Sequence, residues 1–324
     1  VTTVDTPSAQ RRLYLRRNLT TFAIAWVTLA LFVLLAVTTP NFTNFANLSN
    51  ILHQQATILI VAAPFTLTLI AGSFDVSLSA IYVTAPLVAL QVQIATGSTL
   101  FAVVAGIAAG AICGVVNAIA VVRFRINSFI ATLATSFMIF GIGYVVSQQS
   151  VISPTDPEFR DLAMTRIAGF TSATLFAVLV VAVFWVLLSR TRYGRYVYAT
   201  GANVEAARLS GVRTGLILAS TFILVGAAAG FAGTLNAAQS LSAQASDDFT
   251  FVFAVIAAVV VGGTSISGGA GAVWRTVIGA IFIALLGNGF NLNQVDPILQ
   301  RVVLGAVILL AVGMDAFSRR YRSA

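Results

Sequence analysis

The side chains of this sequence that could do chemistry are neutral and scattered through apolar stretches. Gln91, Gln93, Asn117, Thr132, Thr135, Ser136, Asn236, Gln239, Asn288 and Asn291 interrupt runs of Ala, Val, Leu, Ile and Phe. An amide offers donor and acceptor together, and a hydroxyl can turn to do either. A path lined by such groups suits an uncharged, polyhydroxylated solute, which needs partners of both kinds and no counter-ion. The same groups could instead bond helix to helix, a contact worth about 0.6 kcal/mol on average. Asp75, Ser77, Thr264 and Ser265 add polar atoms at two places, 69–79 and 260–269, where an apolar run breaks into glycine and hydroxyl residues.

Other chemistries lack their residues. All eighteen basic residues are arginine, so there is no lysine for a phosphate-binding loop or a Schiff base. His53 and Cys113 each stand alone, which rules out a disulfide framework and a CxxC metal site. No catalytic and no metal-binding set is expected. The chain is 58% hydrophobic and 9% charged, whereas a soluble domain places about a quarter of its residues in charged types. The arginines fall between apolar segments instead of clustering on one solvated face, so they argue for a lipid bilayer and against nucleic acid.

A helix needs about 20 apolar residues to cross about 30 Å of hydrocarbon. On that measure the fold is all-α and polytopic, with about ten transmembrane helices: 20–39, 56–74, 78–96, 99–122, 127–147, 170–189, 214–237, 250–264, 276–290 and 298–316. The eighth and ninth are short. With the N-terminus inside, fifteen of the eighteen arginines fall in cytoplasmic segments and only Arg160, Arg166 and Arg301 fall outside, as the positive-inside rule requires. Both termini are then cytoplasmic, with a tail over 1–19, a transmembrane domain over 20–316 and a second tail over 317–324. No acid is placed deep within a span, Asp75 and Asp315 lying near span ends, which disfavours proton or sodium coupling. Gly106, Gly110 and Gly114, like Gly226, Gly230 and Gly233, have the spacing that lets membrane helices pack closely. The two glycine-rich breaks read either as helices interrupted at membrane depth or as plain cytoplasmic turns.

The largest cytoplasmic segment, 190–213, contains a two-turn helix outside the membrane. Asn203 is a good N-cap, Glu205 sits in the first turn and Gly211 is placed as a stop. Ala206, Ala207 and Leu209 give the helix a small apolar surface that fits a partner's groove. Tyr193, Tyr196 and Tyr198 would alternatively suit lipid headgroups.

This segment resembles the coupling region of the ribose-type permeases of bacterial ABC sugar importers, matching at Gly201, Asn203, Ala206, Ala207, Ser210 and Gly211. Further matches follow in order: Leu67-Thr68-Leu69 through Asp75-Val76-Ser77, Phe129-Ile130-Ala131-Thr132-Leu133, Gly262-Gly263-Thr264-Ser265 with Gly268-Gly269, and Asn288-Gly289-Phe290-Asn291-Leu292. Ser73, Ser79, Ser128 and Arg275 depart from the family pattern, where Gly, Gly, Pro and a small residue are usual. The resemblance implies a multi-pass permease in the bacterial cytoplasmic (inner) membrane that imports a neutral monosaccharide or polyol. It implies a cytoplasmic ABC ATPase carrying ATP and Mg, with no cofactor in this chain. It also implies a periplasmic or lipid-anchored sugar-binding protein and a second permease subunit, identical or merely similar. Gly201, Asn203, Glu205, Ala206, Ala207, Arg208, Leu209, Ser210 and Gly211 would dock the ATPase. Asp75, Ser77, Asn117, Thr132, Thr135, Asn236, Thr264, Ser265, Asn288 and Asn291 are the expected pathway residues. An ion-coupled carrier, or an ABC permease for another small solute, is the alternative.

Overall fold

The computed structural model describes residues 23–320. The expected tail over 1–19, with its four arginines, lies outside the described residues, as do 20–22 and 321–324. The helices are α1 (Ala23–Thr38), α2 (Phe45–Ile70), α3 (Leu78–Thr96), α4 (Thr99–Ala118, prolonged by a π turn over Ile119–Arg123), α5 (Ser128–Ser147), α6 (Asp161–Met164), α7 (Ser172–Arg190), α8 (Arg192–Ala202), α9 (Val204–Leu209), α10 (Thr214–Ser240), α11 (Thr250–Val261), α12 (Val273–Leu292) and α13 (Pro297–Arg320). Two short antiparallel strands, Arg166–Ile167 and Phe170–Thr171, form a hairpin before α7. The protein is a polytopic all-α membrane protein: seven described helices are long and apolar enough to cross a bilayer, namely α2, α3, α4 with its π turn, α5, α7, α10 and α12. The apolar helices α1, α11 and the first part of α13 are shorter.

The helix ends follow local chemistry. Asn44, Ser98 and Asn127 cap α2, α4 and α5 through their side-chain oxygens, each satisfying an N–H that the helix leaves unpaired. Gly97 ends α3 at φ 67°, a conformation only glycine adopts without strain.

The centre of the bundle is a crossing of α4 and α10, with α2 and α3 also packed on α10. A Cβ placed on Gly110 would overlap the Gly226 carbonyl, and one on Gly226 would overlap the Gly110 carbonyl. A Cβ on Gly230 would overlap the Gly106 carbonyl, one on Gly106 would overlap the Thr234 hydroxyl, and Gly114 lies on the Phe222 carbonyl. Backbone touches backbone here, so dispersion contacts replace the hydrophobic drive that is lost between helices in lipid.

Two expected spans need correction. The eighth was expected over 250–264, but α11 has twelve residues, about 18 Å at 1.5 Å per residue, too short to cross. The ninth was expected over 276–290, but α12 runs through twenty residues from Val273. Its first turn holds Arg275 because the guanidinium lies 5.4 Å from the Trp274 ring centre, a cation–π contact that keeps the charge partnered.

Gly110→Val should lower the melting temperature of the purified protein by an amount equivalent to about 1–3 kcal/mol or more. Gly141→Ala, where nothing lies within 4 Å of the new Cβ, should leave it unchanged. Equal melts for the two variants would remove the crossing from the account of stability.

Candidate functional site

The turn over 71–77 joins two full-length helices, and a second turn over 262–272 joins α11 to α12. Each links one helix to the next, and they nest against each other. The Gly269 N–H donates to the Ile70 carbonyl at 2.8 Å. Gly72, Gly263, Gly268 and Gly269 all have positive φ, so side chains would strain the backbone at each, and at Gly268 and Gly269 they would also crowd the backbone of Gly72, Gly201 and Ala202.

Five expected pathway residues come together behind the first turn. Thr135 Oγ1 donates to Asn117 Oδ1 at 2.6 Å, Asn117 Nδ2 donates to Ser77 Oγ at 2.6 Å, and Ser77 Oγ donates to Asp75 Oδ1 at 2.7 Å. The Ser77 N–H also reaches Asp75 Oδ1, at 2.9 Å. Thr132 Oγ1 accepts from the Val76 N–H at 3.0 Å and donates to the Ser128 carbonyl at 2.8 Å. Asp75, Ser77, Asn117 and Thr132 are fully buried, and Thr135 is nearly so. These side chains therefore fasten the turn to α4 and α5, and every donor in the chain points toward the carboxylate. Burial pushes the Asp75 carboxyl up to about 6, against the opposing pull of the Ser77 hydrogen bonds. A wholly buried acid thus sits near a span end, as the sequence placed it.

The other expected residues lie elsewhere. Thr264 and Ser265 are buried in the second turn. Asn288 exchanges two amide hydrogen bonds with Asn47, at 2.8 and 3.1 Å, and Asn291 accepts from Gln300. Asn47 is at the start of α2, about 35 Å of helix from the first turn. Asn236 is exposed near the end of α10. The ten residues do not form one site. The polar groups that sequence reasoning passed over are Gln244, Asp247 and Asp248, all exposed in the extended stretch before α11.

The segment over 190–213 holds two helices where one was expected. Ahead of the two-turn helix α9 lies α8, whose two glycines, Gly194 and Gly201, weaken its helical signal in the sequence. Both are there for close approach. A Cβ on Gly194 would overlap the Leu188 carbonyl, and one on Gly201 would overlap the Ile70 carbonyl beside Gly269. Tyr193 Oη bonds Ser220 Oγ at 2.7 Å and Tyr198 Oη donates to the Gly271 carbonyl at 2.7 Å, so two of the three tyrosines face the bundle instead of headgroups. Asn203 caps α9 by accepting from the Ala206 N–H at 2.9 Å, Gly211 ends the segment at φ 85°, and Glu205 pairs with Arg208. Gly201 and Ala207 are turned into the protein, while Val204, Ala206 and Leu209 face outward, Leu209 at 81% exposure. Beneath α9 a cavity of about 530 Å³ is lined by Gly72, Ser73, Arg125, Thr200, Glu205 and Arg208 among others. A second cavity of about 510 Å³, between α2, α7 and α12, has apolar walls that include Leu59, Trp185 and Trp274 and offers nothing to a hydroxylated solute.

Residues 47–312 match the family described as branched-chain amino acid transport system / permease component. The chain is 35% identical over 306 residues to the ribose import permease protein RbsC of Escherichia coli K12, across 91% of this chain and 95% of that protein. It is 32% identical over 305 residues to the L-arabinose transport system permease protein AraH of the same strain, across 93% and 90%. It is 32% identical over 309 residues to the galactose/methyl galactoside import permease protein MglC of that strain, across 90% and 92%. The chain belongs to this permease family. No solved structure matches it.

Departures from the usual permease pattern gather at the first turn. Ser128, where the resemblance leads one to expect proline, accepts from the Phe74 N–H at 3.1 Å. Ser79, in place of glycine, donates to the Asp248 carbonyl at 2.8 Å and accepts from the Val252 N–H at 3.3 Å. Both hydroxyls add fastenings that proline and glycine could not supply.

Asn117→Leu should destabilise this permease by about 1–3 kcal/mol, because Ser77 and Thr135 each lose a buried partner. Thermal melting of the purified protein checks this, and an unchanged melt would show that the chain of hydrogen bonds carries no weight. The raised Asp75 value sets a pH trend as well. The folded form holds the proton more tightly than the unfolded form, whose value is 3.8, so stability is fully present below that pH and declines as pH rises toward about 6. Asp75→Asn should flatten the decline.

Proposed function

We propose that this chain is the membrane permease subunit of an ABC importer for a neutral monosaccharide or polyol. The observation that carries the reading is near full-length similarity to ribose, arabinose and galactose permeases. ATP and its Mg belong to a separate cytoplasmic ATPase, since this chain has no lysine for a phosphate loop. Support for the docking role of α9 comes from its outward Val204, Ala206 and Leu209. Nucleotide-driven closure of the ATPase would push on α9, and through α8 and Gly201 on both glycine turns. A periplasmic or lipid-anchored sugar-binding protein delivers the solute, and a second permease subunit, identical or similar, completes the pathway. Cytoplasmic termini and a place in the bacterial inner membrane complete the proposed topology.

The test is uptake by the reconstituted chain. ATP-dependent uptake of ribose, arabinose or galactose that requires a co-purifying ATPase supports the reading. Uptake by the isolated chain on a pH or sodium gradient would overturn it. Within the complex, Leu209→Asp should weaken ATPase binding at least about tenfold, or 1.4 kcal/mol, and Arg208→Ala should lower transport per ATP hydrolysed. Normal binding and coupling in both variants would move the docking surface away from α9.

A further inference from the structure

The stretch between α10 and α11 crosses membrane depth without a helix. Ala243 pairs with Ile152, the two exchanging backbone hydrogen bonds of 2.8 and 2.9 Å. Three residues past Ile152, the Thr155 N–H bonds Gln93 Oε1 at 3.0 Å, near the end of α3. Five residues past Ala243, the Asp248 carbonyl accepts from Ser79 in the first turn of α3. From Gln93 back to Ser79, α3 rises about 21 Å, and five extended residues span about 17 Å, so the stretch descends along most of that span. The rings beyond it agree. Phe249 lies 5.2 Å from Phe140 and 6.1 Å from Phe137, in the middle of α5, and Phe251 stacks on Tyr82 at 3.7 Å.

One side of this descending strip is covered and the other is polar. Ala243 and Ala245 are buried, whereas Gln244, Asp247, Asp248 and Thr250 are exposed. Among the described residues the backbone N–H groups of 244–248 have no hydrogen-bond partner. Hydrocarbon cannot accept such a surface: each unsatisfied backbone group costs several kcal/mol there, and irregular backbone at membrane depth survives only inside protein or along a water-filled cavity. Hydrocarbon is thus excluded on the exposed side, and the charges of Asp247 and Asp248 favour water there over another protein surface. Phe137, 61% exposed, and Phe253, 60% exposed, border the strip with apolar faces, and Asn236 is exposed on the helix above.

We propose that residues 244–250 form one wall of the water-filled solute path, where Asp247 and Asp248 accept hydrogen bonds from the hydroxyls of an uncharged sugar or polyol. This rests on the permease reading and names the solute-facing residues within it. Carboxylates are acceptors only and suit the hydroxyl hydrogens of such a solute. The exposed ring of Phe137 suits its C–H face. The same two charges would disfavour an anionic solute.

The proposal is tested in a Cys113→Ala background, on the purified transporter in nanodiscs, with a membrane-impermeant cationic thiol reagent. Gln244→Cys and Asp247→Cys should react at least about tenfold faster than Leu179→Cys, an exposed apolar position in the middle of α7, because thiol modification needs water access. Rates equal to that control would overturn the water-filled wall. Asp247→Asn and Asp248→Asn should each raise the KM for whichever of ribose, arabinose and galactose is taken up by about tenfold, as expected for one charge-assisted hydrogen bond. Asparagine retains an oxygen to cap α11, and an unchanged melt would confirm that the fold is intact. An unchanged KM in both variants and in the double variant would remove the solute contact. Labelling requires neither ATPase nor uptake, so slow labelling with intact ATP-driven import would sink this proposal alone, and gradient-driven uptake would sink only the importer reading.

Discussion

A backbone polar group inside a bilayer must find its partner in the protein or in water. This chain obeys that constraint with helices nearly everywhere, and at the two glycine-rich turns other groups take over. At the first turn the N–H groups of Phe74 and Val76 are taken by the side chains of Ser128 and Thr132. The Ile70 carbonyl, freed at the end of α2, is taken by the N–H of Gly269 in the second turn. The two turns thus complete each other. Neither could be glycine-free, because a Cβ on Gly268 would come within 3.0 Å of Gly72 and Gly201 backbone atoms.

Placing α8 on this junction gives a short mechanical route. Gly201 is in backbone contact with both turns, and Tyr198 holds the second turn at the Gly271 carbonyl. From the first turn the buried chain Asp75, Ser77, Asn117 and Thr135 leads into α4 and α5. Packed interiors transmit displacement because they have few voids to absorb it. A push on α9 is therefore felt at both turns together, whereas a mobile loop in the place of α8 would dissipate it.

Much of this was legible in the sequence, and the failures have physical causes. Six long helices were marked by run length alone, and the glycines at 106, 110, 226 and 230 announced the central crossing through their spacing of four. The α11 span was misread because the strip before it, with Ala243 and Ala245 on its covered side and Ser246, Asp247 and Asp248 following, resembles an outer loop in composition. Arg275 shortened the expected ninth span because hydropathy does not see the tryptophan beside it. The polar residues were found as types but not as faces. Asn117 and Asn236 look alike in the sequence, yet one is fully buried and the other exposed. Helices that meet lipid on one side and protein on the other are apolar all round, so no periodicity separates the two.

The serine departures bear on how path and coupling are joined. Ser79 is the second residue of α3, so no carbonyl of its own helix lies four residues back to take its hydroxyl, as Ala62 and Val92 do for Thr66 and Thr96. It instead reaches the Asp248 carbonyl and the Val252 N–H, clamping the foot of the polar strip and the start of α11 to the first residues after the turn. That turn is the one on which Gly201 of α8 rests. The strip is consequently tied from two directions, through Ser79 to the first turn and along α11 to the second, both of which meet α8. Movement of α8 that separated the turns would pull the two ends of α11 apart or tilt it. The exposed side of the strip would then open or close without any change in its own hydrogen bonds, which is the economy expected of a path that must cycle at every turnover.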